Sequence, residues 1–81
     1  MSYTTTLAGA KIGAGSRVTF LEMDRSGEIH TVTVVAAGPV RRLPVGDLCE
    51  FATLDLDGNV SGACELRSNQ LVTIHQPGET L

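Results

Sequence analysis

The stretch LDLDGNVSGACEL, Leu54 to Leu66, holds a turn signal at Asp57-Gly58-Asn59 between two apolar arms, and its reading decides the fold. Side chains alternate across a strand, so a slip of one residue in a hairpin carries the whole apolar set to the other face. A two-residue turn at Asp57-Gly58 would set Leu56 against Asn59 and Leu54 against Ser61, apolar beside polar. A three-residue loop of Asp57, Gly58 and Asn59 sets Leu56 against Val60, Leu54 against Gly62, Ala52 against Cys64 and Glu50 against Leu66. Asn59 would then hold the left-handed conformation that such loops need. The second register is the coherent one. It predicts a two-stranded ribbon over residues 48–56 and 60–66 whose apolar side carries Leu54, Leu56, Val60 and Cys64 together. It also puts Cys49 and Cys64 on opposite faces, out of reach of a disulfide, whose Cβ atoms lie ~3.8 Å apart. Both thiols then read as small packing groups.

Outward from this ribbon, residues 17–23, 28–36 and 70–75 show the same period-2 alternation rich in Val, Thr, Phe and Ile. The connections DRSG, AGPVRRLPVGD and RSN carry the Gly, Pro, Asn and Asp chemistry of turns. In the first hairpin, one register sets Phe20 against Val32, Val18 against Val34 and Glu22 against His30. No segment carries a helical stripe. The expectation is an all-β fold, a small five-stranded antiparallel barrel. Residues 1–16, with Gly9, Gly13 and Gly15, read as a flexible or loosely docked lead-in, 17–76 as the barrel domain and 77–81 as a frayed tail.

At 81 residues the chain has room for one thin core, because so short a chain removes only roughly 60–65% of its unfolded surface from water. Aromatic residues are limited to Tyr3, Phe20 and Phe51. Burial against a second copy would supply what the core lacks, so a homo-oligomer is expected. The net charge of −3 argues against a sequence-independent grip on nucleic acid. MSYTTTLAGAKIGAGS has neither the basic leader nor the apolar run of a secretory signal, and no stretch reaches the length of a membrane span. A cytoplasmic location with reduced cysteines is the matching expectation.

At the end of the chain, DGNVSGACELRSNQLVTI resembles the closing half of a Src-homology-3-like barrel, and LPVGDLCEF resembles the approach to that family's central strands. The likeness spans residues 43–75 and is one of pattern. It implies a strand, a helical turn at Ser68-Asn69 and a short final strand that closes the sheet. Proline-rich peptides, which such domains bind through aromatic grooves, are not expected as ligands, since no tryptophan or aromatic cluster stands at the matching places. A second likeness, through GSRVTFLEMDRSGEIHTVTVV and VGD, is to the C-terminal domain of bacterial transcript-cleavage factors and relatives that touch RNA polymerase. AAGPVRRLP is too short for that family's intervening strand and helix.

Cys49, Cys64, His30 and His75 make a nominal ligand set, but none stands at the short spacing that pre-organises zinc. DLDGN lacks the late glycine and the terminal glutamate of a calcium loop, since Leu66 occupies the twelfth place. GAKIGAG lacks the lysine-ending phosphate-loop pattern and precedes a strand rather than a helix. No spacing implies a catalytic triad, and a barrel this narrow is filled by its own side chains. The expected function is therefore a non-enzymatic binding or regulatory module, without metal or cofactor, that contacts another protein through a loop or strand edge; a phage or plasmid could carry such a chain. The candidate contact residues are Arg41, Arg42 and Leu43 on the long loop and Asp24 and Arg25 at a hairpin tip. Two other classes remain open. One is an oligomeric enzyme with its site between subunits, as in the plasmid-borne dihydrofolate reductases with Src-homology-3-like subunits. The other is a nucleic-acid or RNA polymerase contact through Arg17, Arg41, Arg42 and Arg67.

Overall fold

A computed structural model describes residues 2–76. Among them lie seven strands: β1 (Ser2–Thr6), β2 (Arg17–Met23), β3 (Ile29–Ala36), β4 (Arg41–Arg42), β5 (Leu48–Leu54), β6 (Val60–Arg67) and β7 (Leu71–His75). All pairings are antiparallel, in the order β1-β7-β2-β3-β5-β4, with β6 on the other side of β5. The sheet curls into a half-barrel compatible with a small Src-homology-3-like barrel. The described residues contain no α-helix, and so none long and apolar enough to cross a membrane.

Two hairpins with one kind of turn build this sheet. In the first, Asp24 N–H donates to the Glu28 carbonyl (2.8 Å) and Gly27 N–H to the Asp24 carbonyl (3.1 Å). Gly27 has φ 89°, a left-handed value that a side chain resists. The Asp24 carboxylate caps the loop, with Oδ1 accepting from the N–H groups of Ser26 (2.8 Å) and Glu28 (3.0 Å). The second hairpin repeats each feature. Asp55 N–H donates to Asn59 (2.9 Å) and Gly58 N–H to Asp55 (3.1 Å), Gly58 has φ 82°, and Asp55 Oδ1 accepts from Asp57 and Asn59. The shared signal is Asp-x-x-Gly, a three-residue loop closed by an aspartate and a left-handed glycine.

The first hairpin has the expected register: Val18 opposite Val34, Phe20 opposite Val32, Glu22 opposite His30. The second does not. Its loop is Leu56-Asp57-Gly58, one residue earlier than the spacing of apolar residues indicated, and the left-handed residue is Gly58 rather than Asn59. Leu54 faces Val60, yet Thr53 faces Gly62, so Ser61 is an extra residue that shifts the register. Beyond this bulge Phe51 faces Cys64 and Cys49 faces Leu66. The four residues expected on one apolar side are therefore divided. Leu56 and Val60 are exposed at the tip, while Cys64 is half-buried on the inner face. Cys49 and Cys64 share that inner face rather than opposing faces, set diagonally, and both thiols are free. Diagonal neighbours are ~7–8 Å apart, beyond disulfide reach.

The bulge has a packing cause. An unbroken ladder from the turn would set the large inward Phe51 against Ala63 and Cys49 against Glu65, putting a carboxylate toward the core. One extra residue sets both against apolar partners instead. Phe51 and Cys49 then join Val18, Phe20, Ala36, Val72 and Ile74 in the core, where each is at most 6% exposed.

Residues 2–16 are more firmly placed than the expected lead-in. Their β1 pairs with all of β7, and a single 3₁₀ turn follows at Leu7–Gly9. Leu7 and Ile12 enter the core. The Tyr3 hydroxyl donates to the Lys11 carbonyl (3.0 Å) and accepts from the Lys11 N–H (3.1 Å), pinning the segment. Counted with this strand and the two-residue β4, the sheet has seven strands rather than five. The expected tail at 77–81 lies outside the described residues.

The turn assignment has a direct consequence for stability. Gly58→Ala should cost about 1–2 kcal/mol, because a Cβ resists the left-handed conformation, whereas Asn59→Ala should cost under ~1 kcal/mol. Urea denaturation of the two variants measures this; equal costs, or a larger one at Asn59, would place the left-handed residue at Asn59.

Candidate functional site

The long connection between β3 and β5 leaves the sheet and returns to it. Ala37 N–H donates to the Ala52 carbonyl (2.7 Å), and Arg41 resumes pairing opposite Glu50. Between these points Gly38 and Pro39 have no ladder partner among the described residues and border a cleft, while Val40 packs against the core. Proline cannot donate to a ladder, which suits this position. The cleft, of about 390 Å³, is lined by Gly38, Pro39, Arg41, Glu50, Phe51, Ala52 and Ala63. Ala52 and Ala63 face each other across β5 and β6, and their small side chains leave this space.

Charge is concentrated at one end of the cleft. Arg41 donates from Nε to Glu50 Oε1 (2.6 Å) and from Nη2 to the same oxygen. The Glu50 side chain is 17% exposed and that of Arg41 is 75% exposed. A half-buried carboxylate needs such a cation, and the pair fixes β4 against β5. Glu65 stands directly opposite Glu50 on β6. Like charges so placed repel. The row Arg41, Glu50, Glu65 thus carries one positive and two negative groups beside an apolar floor.

The sequence-derived candidates fall into two separate places. Arg41 and Arg42 are exposed and form β4, a short strand where a loop was expected. Arg41 borders the cleft, while Arg42, opposite Cys49, alternates to the other face. Leu43 is half-buried and donates its N–H to the Leu48 carbonyl (2.9 Å). Asp24 and Arg25 are exposed at the tip of the β2–β3 hairpin. Glu50, Ala52 and Ala63 were missed. Their signal is visible only in the register, because Ala52 and Ala63 become neighbours through the bulge.

At that hairpin tip His30 stands opposite Glu22 as expected, but its Nε2 pairs with Asp24 Oδ2 (2.7 Å), with Glu28 Oε2 at 3.7 Å. Hydrogen bonds from Ser26 and then His30 hold the Asp24 carboxyl down from its ordinary 3.8 to about 2. Ligand atoms of Asp24, Glu28 and His30 lie within 4.8 Å of one another, all exposed. The nominal set of Cys49, Cys64, His30 and His75 is not among the groupings of this kind in the described residues. Asp24 is already committed to the turn cap, which accounts for the cluster. Burial, then the charge of Glu22, raises the thiol pKa of Cys64, which leaves less thiolate.

No family model, no curated protein and no solved structure matches this chain. The description as a half-barrel compatible with a small Src-homology-3-like barrel rests on the sheet alone.

The lowered pKa of Asp24 has a signed consequence for stability. A carboxyl more acidic in the folded than in the unfolded chain stabilises the fold above its unfolded pKa, near 4, and loses that contribution as pH falls through about 2. Asp24→Asn should therefore be less stable than the parent by a constant amount above pH ~4, with the gap closing toward pH ~2. Denaturant titrations of both proteins along this range check it. A gap independent of pH would mean that the carboxylate charge is not what the turn uses.

Proposed function

We propose that this chain is a non-enzymatic binding module that contacts another protein through the cleft bordered by Gly38 and Pro39. The observation that carries the reading is the cleft itself, an apolar hollow of about 390 Å³ with an ion pair at one rim. That volume lies in the ~300–1,000 Å³ range of binding pockets, which combine apolar walls with a few placed polar groups. It is large enough for one or two side chains of a partner. Its open position on the outer side of β5 and β6 fits a contact surface better than a reaction chamber, which has to exclude water.

Arg41 takes part as an orienting group. Its guanidinium is mostly exposed and already bonded to Glu50, so a partner can add to the pair without leaving a buried charge alone. The same bond weighs against a phosphate grip, since Arg41 is neutralised and Arg42 alternates to the other face. The acidic excess from Glu50 and Glu65 favours a basic or neutral segment over a phosphate backbone.

The test is quantitative capture from host extract on immobilised wild-type chain and on Ala63→Arg, which fills the floor, and Arg41→Glu, which breaks the rim. Ala63→Arg should keep the wild-type melting temperature to within a few degrees while losing the specifically retained protein by roughly tenfold or more; Arg41→Glu should lose the same protein together with some stability, because Glu50 is left without its cation. Retention unchanged in Ala63→Arg, or no protein retained specifically, would contradict the reading.

A further inference from the structure

We infer that the outer face of the β1–β7–β2–β3 sheet is a contact surface for a second copy of this chain, centred on Leu21 and Met23. The face follows from the registers. Thr4, Thr73, Thr19 and Thr33 form one row across the four strands, tied by hydroxyl bonds Thr4–Thr73 (3.0 Å) and Thr19–Thr33 (2.9 Å). Toward the β2–β3 tip the same face continues with Thr6, Leu71, Leu21 and Thr31 and then with Met23 and Ile29; its large apolar members Leu71, Leu21, Met23 and Ile29 are exposed by 62%, 60%, 65% and 61%. Four large apolar side chains at this exposure on one side of one sheet are more than scattered surface residues.

The β2–β3 hairpin makes the arrangement unusual. Its pairing with β7 ends at Thr19, and its pairing with β5 involves only Val35 and Ala36. Among the described residues the distal half is therefore a ribbon with no flanking strand. Its side toward the barrel interior ends in Glu22, Asp24, Glu28 and His30, while its outward side shows Leu21, Met23 and Ile29 beside Thr31. An amphipathic ribbon with its apolar side turned to solvent needs a cover.

Charge selects the occupant. The chain carries −3, so two copies repel through most approaches. This face holds none of the acids of the described residues, because Glu22, Asp24 and Glu28 alternate to the other side and the rest lie on other elements. Its titratable groups, Arg17 and His75, stand opposite each other in the end row, about 20 Å along the strand from Met23. A two-fold axis near Leu21 and Met23 sets apolar groups on their own copies, as an isologous contact requires, and keeps Arg17 and His75 at the periphery. Four strands at about 4.8 Å spacing and roughly 20 Å length give a plan area of some 400 Å². With side-chain relief this reaches the small end of stable interfaces. A dimer that dissociates in the micromolar range is expected.

Sedimentation equilibrium of the full chain from micromolar to millimolar concentration tests this. The wild type should move from monomer to dimer, Leu21→Lys should weaken association by roughly tenfold or more, and Leu56→Lys, at the fully exposed tip of the other hairpin, should leave it unchanged. A wild type that stays monomeric, or equal effects of the two variants, overturns the proposal. Should Leu21→Lys fail to fold, the amide shifts of the wild type on dilution decide. They should move along β1, β7, β2 and β3; shifts confined to the unpaired edge of β6 would assign self-association to edge pairing and overturn the face.

Discussion

Phe51 has to point inward, and the rest of the structure is arranged around that need. It is one of only two phenylalanines in a core otherwise made of small aliphatic groups, and it is 2% exposed. A tight Asp-x-x-Gly turn four residues later would, by strict alternation, give it the wrong neighbours on β6. The extra residue at Ser61 resolves the conflict between turn and core. A bulge of this kind costs a ladder bond locally, gives Phe51 and Cys49 apolar partners on β6 and keeps Glu65 out of the core.

From this one correction the outer side of β5 and β6 follows. With Phe51 and Cys49 inside, Glu50 and Ala52 must face outward, and the bulge brings Glu65 and Ala63 opposite them. Two alanines side by side leave a hollow, and two glutamates side by side call for a cation, which Arg41 of β4 supplies. The cleft and its charged rim are thus products of the inner packing. On the other half of the sheet, continuous alternation does the same work without a bulge. It sends the acids of the β2–β3 hairpin to one side and its exposed leucine, methionine and isoleucine to the other.

Much of this was legible in the amino-acid order. The five longer strands and the all-β class follow from period-2 alternation; for the first hairpin DRSG allows several registers, and the structure has the one that sets Val18 against Val34 and Phe20 against Val32. The second hairpin misled for a physical reason. Its tip residues Leu56 and Val60 look like core but sit where no second layer covers them, and a bulge leaves no mark in a simple alternating pattern. A better signal was present: DRSG and DLDG are the same turn, and aligning them puts the left-handed residue on glycine in both. The N-terminal strand was hidden by its threonines, which satisfy a ladder but show no apolar alternation; only Leu7 and Ile12 hinted at docking. Arg41 was singled out for its place in a Pro-flanked connection, whereas its partner Glu50 lies in a strand and was visible only once the ladder was counted.

The most direct test of the account is the cross-strand contact map of β5 and β6 by nuclear Overhauser spectroscopy. The bulged ladder predicts contacts of Glu50 with Glu65, Ala52 with Ala63 and Leu54 with Val60 in one and the same protein. Contacts of Glu50 with Cys64 and Ala52 with Gly62 would mean an unbroken ladder, with Phe51 set against Ala63, and would contradict it.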